Sequence, residues 1–267
     1  MEIIFKDVTY SGILKKINLV LKDGEVTSIV GKNGSGKTAF LDLIFNYNLK
    51  KEGNIIIDNI DINSKTTKKN LQKTKSNIIY LKQDFSNQLY CLSILDDIKQ
   101  NLTNIDYEKL NELLKMFNLS SDILKKNYLE ISEGEKKKIL LIIIFMSKNK
   151  IILLDDPTND LDQKGISTLI KLLKKEKRSG KIIIISSADH EFILNIADKI
   201  ILIDNKKMIE INNKYDFFTN EKLLNKCRMF MPKVLEFRET VLKIKNKKLL
   251  YRDNINDLIK DIYRYVK

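Results

Sequence analysis

The sequence predicts an α/β fold: a core with a mostly parallel sheet, a small antiparallel β subdomain, a helical subdomain and a C-terminal helical extension. Three observations carry this prediction. Residues 150–156 (KIILLDD) contain an unbroken apolar run at 151–154, as a central parallel strand covered on both faces requires. Residues 25–30 (EVTSIV) read as a strand, 31–38 as a glycine-rich turn, and 39–45 (AFLDLIF) as the start of a helix. Strand-like segments recur near 26–30, 78–82, 151–155, 182–186 and 199–203 with helices between them, the alternation that builds a parallel sheet.

In chain order, residues 1–30 and 53–62 read as short strands, those outside the core strand forming the antiparallel subdomain. Gly31-Lys32-Asn33-Gly34-Ser35-Gly36-Lys37-Thr38 matches G-x-x-x-x-G-K-[ST], a phosphate-binding loop, and takes three of the chain's nine glycines. Bare backbone and positive φ let the N–H groups of such a loop turn inward around phosphate oxygens. Lys37 would reach the β- and γ-phosphates, and the Thr38 hydroxyl would bind Mg2+. The helix that follows adds the positive end of its dipole beneath the phosphates.

Residues 77–81 form a further strand, followed by Gln83. Residues 86–146 have helical periodicity and form the helical subdomain. Within it, Ile131-Ser132-Glu133-Gly134-Glu135 precedes a basic, then strongly apolar stretch (KKKILLIIIF). Ser132 is placed as an N-cap with Glu135 at the third position, a capping box. At the end of the 151–154 run, Asp155 would hold Mg2+ and Asp156 stands where a group polarising the attacking water belongs. Pro157 gives a sharp exit, since it cannot continue a ladder. The tail from about 211 reads as helices with one break at Pro232.

In this order and spacing, residues 1–210 resemble the ATP-binding subunits of ABC transporters. The matching positions are Tyr10 as a stacking aromatic, the loop at 31–38, Gln83, the signature at 131–135, Asp155-Asp156, and Asn159-Asp160-Leu161-Asp162. The resemblance implies ATP and Mg2+ as cofactors. It implies catalytic roles for Asp156, Gln83 and Lys37, and metal contacts from Thr38, Gln83 and Asp155. It also implies a head-to-tail dimer in which Ser132 and the Gly134 N–H face the γ-phosphate held by the partner's loop.

Two stretches narrow the resemblance to energy-coupling factor (ECF) transporter ATPases. One is Gln83-Asp84-Phe85-Ser86-Asn87-Gln88-Leu89, followed by Ser93-Ile94-Leu95-Asp96-Asp97-Ile98, with Phe85 where a proline is common. The other is the extension at 211–267, with FFTNEKLL at 217–224, MPKVL at 231–235 and NINDL at 254–258. This implies a subunit peripheral to the cytoplasmic face of the membrane, powering uptake of a vitamin or metal ion. Its partners would be a second ABC ATPase, a transmembrane coupling subunit and a substrate-binding membrane subunit. The alternatives are the ATPase of a peptide or drug exporter, a non-transport ATP switch, and a regulatory subunit that binds ATP without hydrolysing it.

Four positions depart from the family pattern. Asp156 stands where Glu is usual, and its carboxylate falls about 1 Å short of the water. The position expected for the switch histidine holds Ala188, and the chain's only histidine, His190, lies two residues further on, where a local shift could bring it back. Glu133 and Glu135 replace Gly and Gln in the signature, suiting the helix dipole but adding negative charge near phosphate. The first two changes weaken the site on this chain's own loop, and the last two affect the opposite site. A heterodimer with unequal sites is favoured, its slow site on this chain's loop, with a homodimer as the alternative.

Composition bounds the remaining classes. The chain has 267 residues, and its formal net charge is +13. Residues 206–267 hold sixteen Lys/Arg against eight Asp/Glu, so the tail carries +8, without an aromatic stacking pattern. Attraction to anionic lipid headgroups, about 1 kcal/mol per well-placed cation, suits this charge better than specific nucleic-acid binding. No apolar run approaches a membrane span, the start reads as a strand rather than a signal peptide, and a cytosolic setting is expected. Cys91 and Cys227 lack metal-ligand spacing and fit free thiols.

Overall fold

The computed structural model describes residues 1–46, 49, 51–62, 68–85, 88–245 and 259–260. The chain opens with β1 (Glu2–Tyr10) and β2 (Leu14–Lys22), a hairpin, and then enters the core through β3 (Val26–Val30). The phosphate-loop segment leads into α1 (Lys37–Phe45), after which β4 (Glu52–Ile57) and β5 (Ile60–Asp61) return to the hairpin. These strands form a four-stranded antiparallel sheet in the order β2-β1-β4-β5. β3 alternates poorly because it is buried along its whole length, as a central strand must be.

α2 (Lys68–Lys75) and β6 (Ile78–Leu81) come next, followed by α3 (Ile94–Asn101) and α4 (Tyr107–Met116). Two single 3-10 turns precede α5 (Glu133–Met146). Then come β7 (Ile151–Asp155), α6 (Gln163–Arg178), β8 (Ile182–Ser186), α7 (His190–Ile196), β9 (Lys199–Asp204) and β10 (Lys207–Ile211). The six-stranded sheet has the order β10-β9-β3-β8-β7-β6. Four of its five pairings are parallel, and β10 pairs antiparallel with β9. Registers such as Ser28 with Ile185 and Leu154 with Ile185 align the C-terminal ends of β3, β7 and β8. Ligands of open α/β sheets bind at such carboxyl ends.

Three apolar clusters hold these layers. α1 lies between the two sheets, with Phe40 stacked on Phe5 at a centroid distance of 5.0 Å. α5 is buried continuously from Lys137 to Phe145, which explains its lack of amphipathic pattern: it packs on the sheet and on the helices around it. The third cluster joins β9 and α7 to α8 (Lys214–Phe218), α9 (Glu221–Cys227) and the start of α10 (Lys233–Lys245). Phe217 and Phe218 are completely buried there, so the extension begins as part of the core.

Three details differ from the sequence reading. β10 was missing from it, since KMIEI is short; its turn places Asn205 and Lys206 at φ of 48° and 68°, a tight hairpin connection. Residues 88–93 precede α3 without helix, where helical periodicity is expected from residue 86 on. The tail breaks twice, at the Asn220 cap of α9 and again around the left-handed Arg228, before α10 starts after Pro232. The NINDL segment at 254–258, together with Ser86 and Asn87, lies outside the described residues. Among the described residues no helix is long and apolar enough to cross a membrane.

Candidate active site

The loop after β3 is shaped by its last glycine. Gly36 has φ of +108° and caps α1, and a Cβ there would meet Ile13 Cγ2 at 2.9 Å. Only glycine fits that backbone and that contact. The contact seats the tip of the β1–β2 hairpin against the loop, and the same hairpin carries Tyr10, paired with Leu14. Because Gly36 has no side chain, the first amides of α1 receive no side-chain cap. The Lys37 ammonium is nearly buried and donates to the carbonyls of Gly31 and Lys32, at 3.0 and 3.2 Å. Ser35 Oγ is buried without a hydrogen-bond partner. An orphaned hydroxyl, uncapped amides and a clipped lysine are the features a phosphate chain satisfies.

The carboxylates stand beside this loop. Thr38 Oγ1 donates to Asp155 Oδ2 at 2.6 Å, and the Ser186 hydroxyl donates to the other Asp155 oxygen. Asp155 is buried at the end of β7. Thr38, Asp42, Tyr80, Lys82, Gln83 and Asp84 line an open cavity of about 380 Å3, which brings Gln83 to Thr38. The donors gathered there are hard oxygens, the chemistry of Mg2+. Among the described residues no group of three or more His, Cys, Asp or Glu could hold a metal alone. A cation here needs ligand oxygens from a bound nucleotide, as Mg2+ sites commonly do. Burial raises the pKa of Asp42, against the pull of Lys82, and burial with Asp155 and Asp42 keeps the Tyr80 phenol neutral.

Asp156 occupies a left-handed conformation, φ 45°. Its N–H donates to the Ser186 carbonyl at 2.9 Å, and the Ala188 backbone is among the groups acting on its carboxylate. Burial raises its pKa first, and the neighbouring Asp155 adds to the rise, while Lys37 and Lys137 oppose it. Ala188, just beyond β8, is therefore the residue beside the second carboxylate. His190 opens α7 behind the Asp189 N-cap.

Ser132 caps α5 with Glu135 closing the capping box, as the sequence indicates. Gly134 packs on loop 156–162, where a Cβ would meet the Asp160 carbonyl oxygen at 2.7 Å. The signature and the Asn159–Asp162 stretch thus form one surface. Asp42, Tyr80, Lys137 and Ser186 join the site without having been singled out. Asp42 was findable, being one helical turn after Thr38 on α1. Lys137 was not, because a KKK run reads as a solvated face.

The profile of the family described as "ABC transporter" matches residues 14–159. An energy-coupling factor transporter ATP-binding protein of Oenococcus oeni is 28% identical over 276 residues, covering 95% of this chain and 96% of the relative. A second such protein, from Mycoplasma capricolum, is 29% identical over 260 residues, covering 94% of this chain and 88% of the relative. Among solved structures, cbiO1 of Clostridium perfringens, part of the ABC transporter complex cbiONQ, superposes with a TM-score of 0.68 at 27% identity. That match covers 91% of this chain and 96% of the other. A dimeric ATP-binding cassette in a post-hydrolysis state with ADP and Pi also gives 0.68 at 27% identity, covering 79% and 98% of the two chains.

Proposed function

We propose a role from one plain premise: this chain belongs to the ABC transporter family. It is an ATP-binding, ATP-hydrolysing subunit of the kind found in ECF-like transporters. We infer further that it energises an importer for a vitamin or metal ion, peripheral to the cytoplasmic face of the membrane, as the slow-hydrolysing member of an ATPase heterodimer. The observation that carries this reading is the length of the similarity to ECF ATPases: it runs through the core and on into the extension at 211–267.

The residues suggest the following division of work. Tyr10 stacks on the adenine from the hairpin tip. Residues 31–36 surround the phosphates with backbone amides, and Lys37 turns from the Gly31 and Lys32 carbonyls to the β- and γ-phosphates. Thr38, Asp155 and Gln83 would hold Mg2+, which when bound neutralises phosphate charge. Asp156 orients the attacking water, its backbone held by the Ser186 carbonyl and Lys137. Ser132 and Gly134 face the nucleotide on the partner's loop. Exposed Tyr90, Leu92 and Leu129, near the segment that carries Gln83, offer an apolar face to a transmembrane coupling subunit, which in turn joins a substrate-binding membrane subunit.

Asp156 and Ala188 support the asymmetry. The first is a short carboxylate, and the second supplies no imidazole beside the water. The test is turnover of the assembled complex with Asp156→Asn in this chain. Turnover close to the unaltered complex is expected, with uptake into vesicles still abolished by Lys37→Ala. Fast hydrolysis by this chain as a homodimer, lost on Asp156→Asn, would defeat the asymmetric reading.

A further inference from the structure

We propose that Lys137 is a positioning residue for hydrolysis, its buried ammonium locking the Asp156 turn to the Gln83 segment and to the signature helix. This deepens the ATPase reading and rests on it. Lys137 lies in the second turn of α5 and is only 1% exposed. Its Nζ donates to the Asp156 backbone carbonyl at 3.0 Å, stands 3.9 Å from Asp160 Oδ2, and lies over the Phe85 ring at 5.2 Å. One ammonium thus joins the turn after β7, the loop that follows it, and the residue two positions beyond Gln83.

A charge buried this deeply persists only with partners, and these three supply a carbonyl, a carboxylate and a ring face. Its surroundings pull in both directions: burial disfavours the ammonium, while Asp160, Asp156 and Asp155 favour it. The same end of α5 grips the loop twice more. Gly134 packs on the Asp160 carbonyl, and Lys138 pairs with Asp162 at 3.0 Å.

The consequence falls on Asp156. A left-handed aspartate is a disfavoured conformation that its surroundings must impose. The peptide N–H of Asp156 is fixed by the Ser186 carbonyl, and its C=O is fixed by Lys137. With both sides of the residue pinned, the direction of the carboxylate is pinned too. Without the ammonium the C=O keeps only the longer bond from the Asn159 N–H, at 3.4 Å, and the turn can relax. Because the Phe85 ring lies against the same ammonium, a displacement of the Gln83 segment reaches that ammonium and, through it, the turn that carries the carboxylate.

The test compares Lys137→Met and Lys137→Gln in the full chain with its partner ATPase, under single turnover at this chain's loop. Lys137→Met is expected to lower the hydrolysis rate by about 10- to 100-fold, the cost of a misplacement near 1 Å. Half-saturation by ATP should move less than about twofold, because ground-state binding does not use this lysine. Lys137→Gln, which keeps a donor, should fall between. In an Asp156→Asn background, Lys137→Met should add less than about twofold, since residues acting as a unit are not additive.

Hydrogen exchange on the chain without nucleotide gives a readout independent of activity. Lys137→Met should speed exchange at the Asn159 and Leu161 amides, bonded within this turn, and at the Asp156 amide, bonded to the Ser186 carbonyl, and spare the amides of β8. An unchanged rate, an equal loss in the Asp156→Asn background, or unchanged exchange would each overturn the proposal. If the unaltered complex does not hydrolyse ATP, the ATPase reading fails, and the exchange result alone decides the positioning claim.

Discussion

Replacing Asp156 by Glu lengthens the second carboxylate by one methylene on an otherwise unaltered site. Asp156 ends the central carboxylate pair, half-buried beside the buried Asp155. The added methylene advances the carboxylate by about 1 Å, and a 1 Å error in placement costs about 100-fold, equivalent to about 2.7 kcal/mol of barrier. An opposing effect acts on stability. The longer side chain must be fitted into the half-buried turn, and such overpacking costs about 1–3 kcal/mol. The two effects are separable, because one appears in kcat and the other in the melting temperature. Asp156→Glu is therefore expected to raise the rate of hydrolysis at this chain's loop, by up to about 100-fold, while lowering the melting temperature. Single-turnover hydrolysis with the partner ATPase present measures the first, and thermal unfolding without nucleotide measures the second. A variant that folds and binds ATP as the unaltered chain does, yet hydrolyses no faster, would refute the argument that side-chain reach limits this site.

Three further outcomes follow from the geometry. Gly134→Ala forces a Cβ to within 2.7 Å of the Asp160 carbonyl, so the loop must shift; a stability loss of about 1–3 kcal/mol and weaker ATP-driven dimerisation are expected, read by denaturant unfolding and light scattering. Thr38→Val removes the hydroxyl donated to buried Asp155 and should raise the Mg2+ concentration needed for half-maximal hydrolysis by tenfold or so, about 1.4 kcal/mol, measured by Mg2+ titration. The N–H and hydroxyl of Ser132 lower the pKa of Glu135 below its ordinary 4.5. Glu135 therefore contributes stability that is present above pH 4.5 and lost as pH falls through the depressed value. The stability gap between unaltered chain and Glu135→Gln should accordingly close on acidification, as urea midpoints across pH would show.

Legibility in the sequence followed the range of the interaction. The strands at 151–155 and 182–186 were readable because complete burial leaves an unbroken apolar run. The Ser132–Glu135 capping box was readable because it closes within four residues. β10 was missed, since its pairing depends on β9 and its residues alternate over only five positions. Lys137 was hidden for the opposite reason. Three consecutive lysines point in three directions around a helix: Lys136 reaches Glu133, Lys137 enters the site, and Lys138 finds Asp162. Only the placement of α5 against the loop after β7 separates them. The spacing set Ala188 near Asp156, and Ala188 is among the groups acting on that carboxylate, while His190 opens α7.

The account's central claim is that this ATPase works on a membrane complex of the ECF type. The most direct measurement is purification of the tagged full chain from detergent-solubilised membranes of its own host, with identification of what accompanies it. The account predicts a second ATPase, a shared transmembrane subunit and small substrate-binding membrane proteins. An exporter permease, ribosomal proteins, or a chain that leaves the membranes alone would contradict it.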